Sequence, residues 1–130
     1  MKQEKMASIF SIGMGISMLG MWMMFYITGN IPELESKPIE LGMHLLAEIA
    51  TAIILIIGGI GVIKSKHWGV HIYFISMGML LYTIPNSAGY FLENKEYGLV
   101  IMFGIFLVAS LIFLVSMLRI ANGRYKNAKN

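Results

Sequence analysis

The stretch "IILIIGGIGVIKSKHWGVHIYFISMGMLL", residues 53–81, decides the fold: two apolar runs flank a six-residue segment, 64–69, that carries Lys64, Lys66 and His67. Followed outward, the runs extend over roughly 39–63 and 70–91, and two more of the same character lie at about 7–28 and 98–118. A helix rises about 1.5 Å per residue, so each run is long enough to cross about 30 Å of hydrocarbon. The chain therefore reads as an all-α membrane protein: one transmembrane domain over residues 1–130, with four transmembrane helices in an antiparallel bundle. The first run follows Lys2 and Lys5, as a signal peptide's would. Its apolar length exceeds the roughly 7–15 residues of a signal h-region and no small-residue cleavage site follows, so it is expected to be retained.

Composition points the same way. Hydrophobic residues make up 57% of the 130 and charged ones 13%, with a mean hydropathy of +0.71. A soluble domain of that size would be covered in apolar surface. Zero cysteines exclude disulfides, thiolate metal sites and cysteine nucleophiles. The pI near 9.2 does not suggest nucleic acid, because the charges gather at the ends of the apolar runs, where they orient helices in a bilayer.

Those charges are asymmetric. Lys2, Lys5, Lys64, Lys66, Arg119, Arg124, Lys126 and Lys129 are 8 of the 10 basic residues, and they flank the first span, fill the second loop or follow the last span. The first and third loops hold Lys37 and Lys95 together with Glu33, Glu35, Glu40, Glu93 and Glu96. Basic residues favour the cytoplasmic side. Both termini are thus expected inside, in the cytoplasmic membrane of a prokaryotic cell. Ser36 and Pro38 suit the N-cap and first turn of the second helix. "IFSIGMGI" at 9 resembles "IYFISMGM" at 72, and "ELGM" at 40 resembles "EYGL" at 96, a weak internal repeat that would make the protein a duplicated hairpin.

The second span carries Glu40, His44, Glu48 and Thr51 at spacings of four, four and three, on one helical face. An ionised carboxylate at mid-membrane costs at least about 2.5–3.5 kcal/mol, so Glu48 must point into the bundle and find partners. The third span offers Tyr82, Asn86 and Tyr90 at four-residue spacing, with Ser87 adjacent. Counted from the outer ends of antiparallel helices, His44 falls level with Asn86 and Glu48 with Tyr82. Pro85 deprives the Leu81 carbonyl of its helical donor at nearly the same level. These residues predict an outer-leaflet pocket formed by His44, Glu48, Thr51, Tyr82, Asn86, Ser87 and the Leu81 carbonyl.

Such a pocket suits a proton or cation in transport or channel activity, since intramembrane ionisable residues mark ion sites. Four helices enclose little volume, so transport implies a homo-oligomer. The alternative is a non-catalytic accessory subunit whose polar groups pin helices or receive a membrane partner, with hydrogen bonds near 0.6 kcal/mol each. Haem, metal and quinone chemistry have weaker support, and no cofactor is expected. The three histidines are badly placed to pair on haem, since His44 falls near the outer face and His67 and His71 in or just after the inner loop, and a dinuclear bundle site needs more inward Glu and His than this chain has. Met14, Met18 and Met21 at helical spacing would suit copper(I), although methionine also serves as an adaptable filler. Gly13, Ser17, Gly20 and the "GGIG" at 58–61 read as helix-packing surfaces. Trp22, His67 and Trp68 read as interfacial anchors, and the last span as a face for lipid or another subunit.

Overall fold

The structure, a computed structural model of the chain, describes residues 2–29 and 33–130, with residues 33 and 34 given as backbone only. The Glu33 side chain, counted above among the outer charges, lies outside the described residues. Four long helices, α1 (Lys2–Thr28), α3 (Pro38–Ile63), α4 (His67–Glu93) and α5 (Tyr97–Lys129), are joined by short connections, the first of which includes a single turn, α2 (Glu33–Ser36). Helices α1, α3 and α5 are long and apolar enough to cross a membrane. The fourth long helix, α4, has comparable length but is diluted by two histidines, three tyrosines and several hydroxyl, amide and proline residues. It falls short of the other three in hydropathy, although the sequence reading counted it as a span.

The α3–α4 and α4–α5 turns are built alike. In the first, Lys66 N–H donates to Gly61 C=O and Ser65 N–H to Val62 C=O; in the second, Glu96 bonds Phe91 and Lys95 bonds Leu92 in the same way. Both are Schellman closures, which need a left-handed residue after the helix. Ser65 (φ 52°) and Lys95 (φ 60°) fill that position without glycine's freedom. The α1–α3 connection, with its extra helical turn, has no counterpart between α4 and α5. Ser36 closes α2, and Lys37 takes the N-cap of α3 without a side-chain capping bond, with Pro38 in the first turn.

Packing runs α1 on α3, α3 on α4 and α4 on α5, with a smaller contact of α1 on α5. Close approach is set by small residues. A Cβ on Gly15 would lie 2.6 Å from the Ala52 carbonyl oxygen, and one on Gly59 would lie 2.8 Å from that of Ser8. Ser11, fully buried, donates its hydroxyl to Leu55 C=O across the same interface at 2.7 Å. On the other side of α3, a Cβ on Gly58 would meet Tyr73 N at 2.9 Å, and Gly61 and Gly69 face each other backbone to backbone. The "GGIG" segment packs as its composition suggested. Gly13, Ser17 and Gly20 do not: all three are exposed, and the two glycines have open space around them. The α1 packing edge is the neighbouring stripe of Ala7, Ser8, Ser11 and Gly15, about one residue's rotation away.

At the opposite end of the chain α5 runs eleven residues past the apolar segment, to Lys129. Lys126 and Lys129 in its last turn suit the negative pole of the helix. An Arg124 nitrogen lies 2.5 Å from Glu4 Oε1, which puts the start of α1 and the end of α5 together. Since Gly59 packs on Ser8, the α3–α4 turn is at that end too.

Candidate functional site

Glu48 is the buried acid of the bundle, its side chain 4% exposed. It sits on α3 one turn after His44 and is met by side chains from three helices. Trp22 of α1 donates its indole N–H to Glu48 Oε2. Ser87 of α4 donates its hydroxyl to Oε1 at 3.1 Å, and His44 Nε2 approaches the same oxygen at 3.3 Å. His44 is 33% exposed and also lies edge-on to the Trp22 ring, with centroids 6.0 Å apart. A half-exposed imidazole thus stands between the surface and a carboxylate that has none of its own.

Behind the carboxylate is a cavity of about 20 Å³, lined by Met14, Met18 and Met21 of α1, Thr83 and Ser87 of α4, and Phe103 of α5 as well as Glu48. That volume holds about one water or one small ion, and no organic molecule. A larger groove of about 320 Å³ on α5, lined by Leu111, Ile112, Val115, Ser116 and Arg119, lies on one helix and is open. Among the described residues, no cluster of three or more His, Asp or Glu could hold a metal.

The structure brings together some of the residues the sequence singled out and separates others. His44, Glu48 and Ser87 meet. Thr51 is buried one turn further along α3, with its hydroxyl donated to Ala47 C=O at 2.7 Å. Tyr82, 76% exposed, and Asn86, also exposed, are not at the site. Pro85 is exposed within an unbroken α4, and Leu81 does not line the cavity. The reason is rotational. The buried face of α4 is Tyr73, Ser76, Met77, Leu80, Thr83 and Ile84, continued by Ser87, and Tyr82 and Asn86 each precede that stripe by one residue, about 100° around the helix.

Depth counting placed Glu48 opposite Tyr82 and could not see this rotation. Apolar spacing gave no usable signal, because Ile75, Met79 and Leu81 off the stripe are as apolar as Met77, Leu80 and Ile84 on it. Trp22 was missed for a similar reason. Read as an interfacial anchor, it lies one turn after Met18 and two after Met14, on the face that both bury, and so its N–H reaches Glu48.

No curated protein and no solved structure matches this chain. Residues 1–130 match the family model described as Domain of unknown function (DUF8058), and the chain belongs to that family.

Proposed function

We propose that the protein is an antiparallel four-span bundle of the cytoplasmic membrane, with both termini inside, and that it binds a proton or small cation at Glu48 in the course of transport or channel activity. The observation that carries this reading is a buried carboxylate with a half-exposed histidine 3.3 Å away on its outer side and a one-water cavity on its inner side. A charge in the hydrocarbon is costly and marks ion pathways. The cavity volume narrows the substrate to a proton or a bare ion. Gathering of Lys2, Lys5, Lys64, Lys66 and the Arg119–Lys129 segment at one end supports the orientation, and the small enclosed volume supports a homo-oligomer as the working unit.

Infrared difference spectra of wild type against Glu48→Gln in lipid, recorded across pH and with added sodium, test the site. The amide keeps the shape, its carbonyl can accept from Trp22, and its NH₂ can face Ser87 or His44. A carboxyl band that titrates or responds to sodium in wild type and vanishes in the folded variant is the expected result. A carboxyl that neither titrates nor responds to cations would sink the reading. Silver(I) or copper(I) in the same titration probes the soft-ion variant that three methionines in the lining would favour.

One observation favours an accessory-subunit role instead: Glu48 joins α1, α3 and α4 through Trp22, His44 and Ser87. On that reading Glu48→Gln is nearly silent in function, because the ties survive.

A further inference from the structure

Helix α5 keeps a seven-residue rhythm along its length. Phe103, Ser110 and Met117 are its buried residues, and seven positions further on Arg124 meets Glu4 of α1. These four define the side of α5 that faces its own protomer. An ideal α-helix drifts by about 20° in seven residues, so a face held through three such steps suits left-handed supercoiling. The opposite side keeps the same rhythm. With the buried residues at heptad position c, the a positions are Ile101, Val108, Val115 and Asn122, and the d positions are Gly104, Leu111, Leu118 and Tyr125. All eight are exposed.

Lipid accounts for the outer part of that face but not for its continuation. Past the apolar segment the helix runs on through "RIANGRYKNAK", residues 119–129, beyond the reach of hydrocarbon. Asn122, Gly123 and Asn127 are poor helix formers, and a short helix in water is marginal without packing. The protomer holds the start of this segment through Ile120 and Arg124 and leaves Asn122 and Tyr125 exposed. The residue types on the face say what covers it. β-Branched side chains at a with leucine at d favour two strands, and asparagine at a single a position fixes register and strand number. Leu111, Val115, Leu118 and Asn122 follow that order.

We propose that α5 pairs with α5 of a second copy in a parallel left-handed coiled coil from Leu111 to Tyr125, making the protein a homodimer. The proposal rests on the homo-oligomer and the orientation in the reading above, and is independent of the Glu48 site. Copies inserted in the same sense bring identical helices together in parallel, which sets Asn122 level with its counterpart so that one amide donates to the other's carbonyl. The neighbouring stripe at position e, Ile105, Ile112, Arg119 and Lys126, is exposed as well. A seam centred there would set arginine against arginine and lysine against lysine. On the a and d seam those cations stand at the flank, where Arg119 meets Leu114 and Lys126 meets Ala121 of the other copy. Outward of Leu111, Gly104 at d has no side chain to fill a hole, so the pair opens there and lipid enters. Inward, Lys129 at the next a position opposes its counterpart and ends the seam.

The chain has no cysteine, so single cysteines report the contact directly. Leu111→Cys, Val115→Cys, Leu118→Cys and Asn122→Cys, treated with a mild oxidant in native membranes, should give crosslinked dimer at least about tenfold more than Ser116→Cys or Phe113→Cys, which lie off the seam. Stronger crosslinking of Ile112→Cys and Arg119→Cys than of Leu111→Cys and Leu118→Cys would move the contact to the charged stripe and overturn the seam. Uniform weak crosslinking around the helix would mean chance collision through lipid and would overturn it too. Mass in detergent separates the seam from the broader reading. A monomeric wild type overturns the homo-oligomer itself, whereas an oligomeric wild type without α5 crosslinks removes the seam alone. Asn122→Lys gives a second measure at a position outside both the hydrocarbon and the protomer's core. It should raise the dimer dissociation constant about tenfold or more, because like charges then face each other, while Asn127→Lys, which adds the same charge off the seam, leaves it unchanged. Equal effects of the two would trace to net charge and overturn the pairing at Asn122.

Discussion

Gly69 and Gly104 both sit inside long helices, yet their surroundings are opposite. Gly69 of α4 faces the α3 backbone, where a Cβ would lie 2.6 Å from Val62 N and 2.7 Å from the Gly61 oxygen. Gly104 of α5 is exposed, with nothing within 4 Å of the place a Cβ would take. The helices differ in the same sense. Eight residues of α3 are buried, including Glu48, whereas α5 buries only Phe103, Ser110 and Met117. Apolar character does not track burial here, for the apolar segment of α5 is more apolar than that of α3, although α5 as a whole carries a polar end. The lesson is that hydropathy reports which solvent a helix suits, while contact between helices is decided by where a side chain can be omitted.

The largest expected effect breaks the close side of that comparison. Gly69→Ala drives a methyl into backbone that cannot rotate out of the way, and overpacking of this kind costs about 1–3 kcal/mol or more. The α3–α4 pair should separate or shift, lowering the thermal midpoint in detergent by the widest margin of any variant here and weakening the Ser87 bond to Glu48. A Gly69→Ala protein with unchanged midpoint would mean that α3 and α4 do not touch as closely as the structure has them.

How much of this was legible in the sequence divides along the same line. The long helices follow from four apolar runs and two charged turns, and the burial of Glu48 from the cost of a carboxylate in hydrocarbon. Which face of each helix meets its neighbour did not follow. In a membrane-suited sequence lipid-facing and core-facing positions are equally apolar, so no contrast marks the buried stripe. Gly13, Ser17 and Gly20 looked like a packing edge, although Ser8, Ser11 and Gly15 form it. Tyr82 and Asn86 looked like partners of Glu48, although Ser87 is one. Such slips of a single residue rotate a side chain by about 100°, and long-range contacts alone resolve them. The lower hydropathy of α4 has another origin: His67, His71, Tyr82, Pro85, Asn86 and Tyr90, all exposed, dilute an apolar run that is otherwise long enough to span.

An intermediate effect is expected at Trp22, which ties α1 to the site. Trp22→Phe keeps an aromatic ring near His44 but removes the N–H that Glu48 Oε2 accepts. A hydrogen bond of this kind contributes about 0.5–1.5 kcal/mol net, and partial access of the ring to solvent keeps the loss inside that range. The thermal midpoint should fall by a few degrees, less than for Gly69→Ala, and the Glu48 infrared band should shift in frequency as one of its donors disappears. An unshifted band would place the indole away from the carboxylate.

The smallest effect belongs to Gly104 and has the opposite sign. In a helix interior alanine is favoured over glycine by about 0.5–1 kcal/mol, because the unfolded glycine has more backbone freedom to lose. With open space where the methyl would go, Gly104→Ala should raise the thermal midpoint slightly, while the same substitution at Gly69 lowers it sharply. That opposition sharpens the comparison into a test of what covers α5. Ile101, Ile105 and Val108 are exposed around Gly104, and acyl chains adapt to an added methyl at little cost. A second helix packed closely on that face would not adapt. A stabilised Gly104→Ala that keeps the wild-type mass in detergent fits a lipid-covered α5. A destabilised variant whose oligomer dissociates would instead place a subunit interface on the most apolar segment of the chain, and the homo-oligomer suggested by the small enclosed volume would have its contact surface.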